Sequence, residues 1–314
     1  MALNKELWLT TIQEQLFKDD SFLNTVGIDH SAYVNNITVH IPQAGANPSI
    51  SKNKSTFPSV ATSRTDVDLT YLIDLYYSDP IRVGVDETQY ISYDKRASVL
   101  NATMNIMRNV IGNNTLYKWA AAAAAAGSQV RTTGSAVSTA LAPSATSTRL
   151  AIKLADFISA AQILDSQNLN PGDERYCIMP TGLYYQMMND TNISKFLEYG
   201  GASSVAVNAR VPMIAGFKII PRSTVVVYDN STSPAVLKTI DANTGAPSSP
   251  TTTDNLACLC VSSSYVSKAI GAINVYTNNN DPLYYGDIVS STVGFGASQM
   301  RTNGEGVVAI IQAN

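Results

Sequence analysis

Residues 86–127 read DETQYISYDKRASVLNATMNIMRNVIGNNTLYKWAAAAAAAG, and the rest of the chain is organised around them. Tyr93, Ala97, Leu100, Met104, Met107 and Ile111 recur at three- and four-residue steps, and Val99, Ile106 and Val110 form a second row beside them. At 3.6 residues per turn the two rows merge into one wide apolar face. Asp94, Ser98, Asn101, Asn105 and Arg108 collect on the narrower opposite side. Ser92 is placed to cap the start, and Asp94 falls in the first turn, where the helix dipole favours negative charge. The pattern pauses at Gly112-Asn113-Asn114, then resumes through Trp119 into an alanine run at 120–126. Over residues 93–111 alone the helix is roughly 28 Å long, and nearly twice that if it bends rather than stops at Gly112. Such a rod is a beam, not a catalytic loop.

Composition limits what the beam serves. The 314 residues suit two modest domains, or one domain with arms. Charged residues make up 14% of the chain, against roughly 25% in ordinary soluble domains, so much of the surface is suited to lying against other protein. A net charge of −3 leaves no electrostatic footprint for nucleic-acid binding. Lys5, Glu6 and Glu14 interrupt the first residues, which is unlike a signal peptide. No apolar run approaches the roughly 20 residues of a membrane span. Cys177, Cys258 and Cys260 lie in apolar, strand-like runs and read as buried free thiols, in keeping with synthesis in a reducing cytosol.

In chain order, residues 4–20 predict a short amphipathic helix whose stripe of Trp8, Leu9, Ile12 and Leu16 needs cover. From Asn36 the period becomes two, with Ile37, Val39 and Ile41 on one side and Pro42 ending the strand. A polar stretch at 43–64 has too little apolar surface to support a core. A second alternating strand follows, with Val67, Leu69, Tyr71 and Ile73 opposed to Asp66, Asp68, Thr70 and Asp74; Ile81, Val83 and Val85 lead into the rod. Together these predict a long β-hairpin arm with a soft tip. After a Ser/Thr/Ala/Gly linker at 127–148, Leu150, Leu154, Phe157, Ala161 and Leu164 predict a helix capped by Thr148. A buried strand at 176–179 runs into a helix begun by Pro180. Residues 215–228 predict two strands with a turn at Pro221, and 230–254 an exposed insertion. Residues 256–261 read as strand, 264–271 as helix and 273–276 as strand. The remainder is strand-rich, with Gly294, Gly296, Gly304 and Gly306 at bends. Without a strict βαβ rhythm the class is α+β.

No motif nominates an active site: catalytic, cofactor-binding and metal residues are each expected to be none. His30 and His40 lack partners at metal-ligand spacing. Cys258-x-Cys260 is one residue short of the usual redox spacing, and strand alternation puts both thiols on one core face. Asp66, Asp68 and Asp74 could gather a cation, but the solvated edge of an arm explains them better. Gly294-x-Gly296 has neither the third glycine nor the helix of a dinucleotide fingerprint. Lys52 and Lys54, near the arm tip, could in principle form an isopeptide bond with a neighbour's Asn if a carboxylate took the proton. A charged tip that keeps the arm soluble is the simpler reading.

The order of parts, an N-terminal arm, a long hairpin, a rod helix, an α+β body and a strand-rich return, resembles the major capsid proteins of tailed bacteriophages, with the fold named after phage Hong Kong ninety-seven. Arg175-Tyr176-Cys177-Ile178-Met179-Pro180 with Tyr184 and Met188 is similar to the strand and helix of that family's axial domain. Ile214-Ala215-Gly216-Phe217-Lys218-Ile219-Ile220 with Arg222-Ser223 resembles its glycine-containing strand turn, and Gly294-Phe295-Gly296-Ala297, Arg301 and Gly306-Val307-Val308-Ala309-Ile310 its final hairpin. The resemblance covers essentially the whole chain. It implies an N-terminal arm at 1–36, an extended hairpin (E-loop) at 37–86, a peripheral domain with the spine helix at 87–148 and 272–314, and an axial domain at 149–271 with an exposed insertion at 230–254. It also implies a structural, non-enzymatic subunit of the virion, made in the host bacterial cytoplasm, that assembles with itself into hexamers and pentamers. The resulting icosahedral head would enclose a double-stranded DNA genome contacted non-specifically, with no cofactor and no membrane. Separate scaffolding, portal and decoration proteins are implied partners, since no charged helical scaffold region precedes the arm. The family's cross-linking residues do not map onto this chain, so none is carried over.

An encapsulin-like nanocompartment shell shares the fold and is the alternative; the Ser/Thr/Asn-rich insertion and extended arm favour the phage reading. A tail-tube subunit is weakened by the rod helix, a hydrolase by the want of a nucleophile–base pair, and a secreted adhesin by the want of a signal sequence.

Overall fold

The computed structural model describes residues 21–35, 37–45, 49–55, 57–58, 61, 63–84, 95–137, 141–170, 172–193, 211 and 213–314. The expected helix at 4–20 and the expected cap at Ser92 lie outside them.

The rod is one helix, Lys95–Ala120, and it runs unbroken through Gly112-Asn113-Asn114. The two asparagines do not turn back on the local backbone, as they would to end a helix. Asn113 Oδ1 accepts from Arg222 Nη1 at 2.6 Å, and Asn114 Nδ2 donates to the Tyr76 hydroxyl at 3.0 Å. Such outside partners offset the roughly 1 kcal/mol that glycine costs in a helix. From Val110 to Ala120 every residue but Lys118 is buried, so the second half is a core column with no solvent face. Met104, Met107, Ile111, Leu116 and Trp119 pack with Phe22, Leu23, Val26, Tyr228 and Phe295 in the largest core cluster. Ile106, expected in the buried face, is exposed, and Arg108, expected outside, is buried. The apolar face is wider than the body it lies on, so its second row spills over an open groove. The alanine run also departs from expectation, continuing as two short 3₁₀ turns, Ala121–Ala124 and Ala126–Ser128. Alanine's preference is worth only tenths of a kcal/mol per residue. It yields here to the side chain of Gln129, which donates to the carbonyls of Ala123 and Ala124.

An eight-stranded sheet lies beneath the helix. Its central strand Asp254–Ser262 pairs antiparallel with Arg175–Pro180 and Val226–Asp229 along one edge and with Val307–Ile311 along the other. Phe217–Arg222 runs parallel to Arg175–Pro180, and Gln129–Arg131 parallel to Val307–Ile311. Alternation sends Tyr176, Ile178, Leu259, Val261, Val307 and Ala309 toward the long helix. Cys177, Met179, Cys258, Cys260, Val308 and Ile310 face the helices Leu154–Ser166 and Thr181–Met188 through Phe157, Leu164, Leu183 and Met187. A sheet covered on both faces needs near-continuous apolar strands, which these runs supply.

The second sheet is a long hairpin, Val266–Asp281 with Gly286–Gln299. It is flanked by Ile28–Asp29 on one side and by Asp74–Tyr77 and Ile81–Gly84 on the other. Residues 264–271 were expected to be helical; instead a 3₁₀ turn, Ser263–Tyr265, leads straight into the strand. Val266 to Ala269 are all buried, so no period-two signal was present to oppose the helical spacing. Gly294 and Gly296 are not at bends. A Cβ on Gly294 would meet the Gly271 Cα at 3.2 Å and Ile73 Cγ2 at 3.2 Å, so the missing side chain lets two backbones close. The expected boundary at 271/272 falls inside this strand.

Three further expectations are corrected. Arg149–Leu150 is a strand paired with Ala136–Val137 inside the supposed linker, and the following helix starts at Leu154. Asp156, not Thr148, caps that helix, accepting from the Lys153 N–H at 2.9 Å. Pro221 lies within its strand opposite Met179; beyond Lys218 no described residue pairs with the strand's other edge, so a missing N–H is tolerated there. The 230–254 insertion does not project. Val236–Leu237 extends the sheet, Asn114 Nδ2 donates to Ala242 O at 3.5 Å, and Lys238 Nζ meets buried Asp254 at 3.1 Å.

Candidate assembly surfaces

The arm forms as expected, as a ribbon of Thr38–Gln43 against Val67–Leu72 in which Thr38 faces Leu72 and Gln43 faces Val67. Its inner side is a small cluster of Val39, Ile41, Tyr71 and Ile73 on Ala269 of the hairpin sheet. Nothing comparable exists at the tip. Ile50 is 97% exposed and Phe57 74% exposed, and Lys52 and Lys54 are exposed between them. A two-stranded ribbon with uncovered apolar tips gains little by itself and is suited to lying on a partner.

The polar residues of the arm are each spoken for separately. His40 Nδ1 lies 2.6 Å from Asp68 Oδ2. Asp66 accepts from Arg64 Nε at 2.7 Å and from the Gly45 N–H at 2.9 Å; the Arg64 hydrogen bond, then the Gly45 one, holds its carboxyl below the usual range. Asp74 begins a strand of the other sheet and pairs with Lys118 of the long helix. The three aspartates therefore do not converge, and among the described residues no group of three His, Cys, Asp or Glu is placed to hold a metal.

A groove of about 1100 Å³ runs between the first half of the long helix and the strand Asp74–Tyr77, floored by Thr103, Ile106, Met107 and Val110. Ile106 stands 67% exposed in it, and Leu75 and Tyr77 are exposed on its other wall. Buried Met104 and exposed Ile106 thus make a paired test of the helix orientation. Met104→Ala should lower subunit stability by about 2–5 kcal/mol through lost transfer energy and a cavity. Ile106→Ala should move it by no more than about 0.5 kcal/mol. Urea denaturation of a soluble, assembly-blocked subunit measures both, and equal losses would contradict this orientation.

A third apolar surface was not anticipated. The tip of the long hairpin carries Leu283, 83% exposed, and Tyr285, 77% exposed, with Tyr284 between them. The signal available was Leu283-Tyr284-Tyr285 directly after the Asp281-Pro282 turn, where apolar residues have no core to enter.

The cysteines and Ser267 are shut away. All three cysteines are free and fully buried, and burial pushes the Cys258 and Cys260 thiols well up, keeping them protonated and unreactive. His30 Nδ1 lies 2.7 Å from Ser267 Oγ, but that serine is wholly buried and inaccessible to a substrate. Among the described residues no helix is long and apolar enough to cross a membrane.

No family model and no curated protein sequence matches the chain. Solved structures do. The capsid of cyanophage P-SCSP1u superposes with a TM-score of 0.69 at 17% identity, over 94% of this chain and 89% of that one. This chain has the tailed-phage capsid fold. The mature capsid of bacteriophage PhiM1 gives a TM-score of 0.62 at 12% identity, covering 94% of this chain and 88% of the other. A virus-like particle from Pyrococcus furiosus gives 0.54 at 10% identity, over 98% and 99% of the two chains. The α+β class, the hairpin arm and the spine helix of the capsid fold are thus all present in order.

Proposed function

We propose that the chain is a shell-building structural protein, the major capsid protein of a tailed phage. It assembles with itself into hexamers and pentamers of an icosahedral head around double-stranded DNA. The observation that carries the reading is the arm: on a chain with the capsid fold, a ribbon docked along its strands ends in a tip whose described apolar residues, Ile50 and Phe57, its own subunit leaves bare. Its role is mechanical rather than enzymatic, since the buried thiols and Ser267 offer no accessible nucleophile. The eight-stranded sheet with its two helices forms the axial part, and the long helix with the Val266–Asp281/Gly286–Gln299 hairpin the peripheral part. They divide near the turn Ser263–Tyr265, a shift of a few residues from 271/272. Packaged DNA is touched without sequence preference, in line with the net charge of −3. Scaffolding, portal and decoration proteins are the further partners of such a shell, its place is the virion, and its synthesis is in the host cytoplasm.

The nanocompartment reading draws on the near-complete mutual coverage with the Pyrococcus furiosus particle, but the higher TM-score falls to a phage capsid. Negative-stain microscopy of the expressed protein tests the proposal: closed shells are expected. Tubes, or monodisperse monomers at high concentration, would overturn it. Shells found in infected cells with an enzyme inside and no genome would transfer it to the nanocompartment class.

A further inference from the structure

Three elements that differ widely in sequence position meet at one buried hydroxyl. His30, on the N-terminal segment, places Nδ1 2.7 Å from Ser267 Oγ, and the same oxygen lies 2.8 Å from the Tyr71 hydroxyl on the arm strand. Ser267 and Tyr71 are both buried, and the backbone carbonyl of Ser267 is already taken by the Trp119 indole N–H at 3.0 Å. A serine hydroxyl has one hydrogen to give. With a neutral His30 and a bare Nδ1, Ser267 donates to the imidazole and Tyr71 donates to Ser267, so every hydrogen has an acceptor. A protonated His30 must donate from Nδ1. Three hydrogens then share two contacts, so one of them, the serine's or the phenol's, is left without an acceptor inside the buried relay.

We propose that protonation of His30 loosens the root of the hairpin arm from the body of the subunit by adding a hydrogen that the His30–Ser267–Tyr71 relay cannot place. Three other titratable groups lie near the imidazole. Asp29 precedes it, the Tyr33 ring meets it edge-on at 6.0 Å, and Lys268 follows Ser267, its ammonium held by the carbonyls of Leu23 and Val26. Burial lowers the imidazole pKa and Asp29 opposes that, with burial the larger effect. The docked arm therefore binds fewer protons than the undocked one. Docking is complete above the ordinary histidine pKa of about 6.5 and weakens as pH falls below it. A second tie, at the tip end of the ribbon, runs from Gln43 Nε2 to Met300 O at 2.7 Å and does not titrate, so the ribbon loosens without unfolding. His40, on the exposed side of the same ribbon, pairs with Asp68 and touches no part of the relay. The use of this coupling in shell building rests on the proposed function; the coupling itself does not.

The test is amide hydrogen exchange of the full chain at about pH 7.5 and about pH 5.5, corrected for the intrinsic pH dependence of exchange. Protection in Thr38–Gln43 and Val67–Leu72 should be partly lost at the lower pH, while the strands of the eight-stranded sheet keep theirs. His30→Gln and Tyr71→Phe should each flatten the response, and His40→Gln should leave it intact. Unchanged protection in the parent chain, a response surviving in His30→Gln or Tyr71→Phe, or one lost in His40→Gln would each overturn the relay. Shell yield, read separately by sedimentation, tests the function: an absence of shells at every pH counts against the capsid reading and leaves the exchange result standing.

Discussion

Replacing residues 46–63 with a short Gly-Ser turn should abolish shell formation while leaving the subunit folded. The excised stretch contains Ile50 and Phe57, which touch no core, whereas the arm's buried residues, Val39, Ile41, Tyr71 and Ile73, all lie outside it. A tip of this kind gains order on a partner, where contact offsets the entropy of fixing it. Shortening the connection changes loop-closure entropy by only about 0.6 kcal/mol per halving of its length, so the ribbon below is not strained. Circular dichroism and thermal unfolding should match the parent chain, and sedimentation should show subunits or capsomers in place of particles. Normal shells from the shortened chain would refute the clasp, and a chain that fails to fold would place the tip in a core.

The same shortened chain, as a soluble subunit, allows the second large effect to be measured. Trp119 is fully buried where the N-terminal segment, the spine helix and the hairpin sheet cross. Its ring meets Phe22 edge-on at 6.0 Å, and its indole N–H donates to the Ser267 carbonyl. Trp119→Ala should cost about 3–5 kcal/mol through lost burial and a cavity, a large part of the roughly 5–15 kcal/mol by which a domain is stable. Trp119→Phe keeps most of the apolar contact and leaves the carbonyl unpaired, a penalty of about 1–3 kcal/mol. Chemical denaturation should rank the parent above Phe and Phe above Ala. An alanine variant within about 0.5 kcal/mol of the parent would mean that the crossing is not packed as described.

What could be read from the chain alone follows from where one periodic signal dominates. The first half of the spine helix is half-solvated, so its 3.6-residue rhythm is plain; the second half is buried on all sides and has no rhythm to read. Ile106 was misplaced because periodicity reports which residues are apolar, not how wide a body lies beneath them. The strands Asp254–Ser262 and Val307–Ile311 were legible as unbroken apolar runs. Of Val266–Asp281 only 273–276 was legible as strand; its start reads as helix because it is buried on both sides and its Val266, Ala269 and Ile270 also suit a helix. Of the assembly surfaces, the arm was legible from two alternating strands around a polar gap. The groove was not, since it forms only where the strand Asp74–Tyr77 comes to lie beside the helix, and the Leu283–Tyr285 tip was passed over although its apolar run after Asp281-Pro282 was there to read.

The strand Val307–Ile311 has a consequence for the order of events during synthesis. It fills the slot between Asp254–Ser262 and Gln129–Arg131, with Ile311 opposite Ala257 and Arg131. Until the ribosome has released this strand, two sheet edges stand open and the apolar face under the helix Leu154–Ser166 is uncovered. A chain is thus held short of its final shape until this strand is in place, and these distant pairings make its folding slow. A chain cut before Val307 leaves both edges unpaired and is exposed to wrong pairing with another copy.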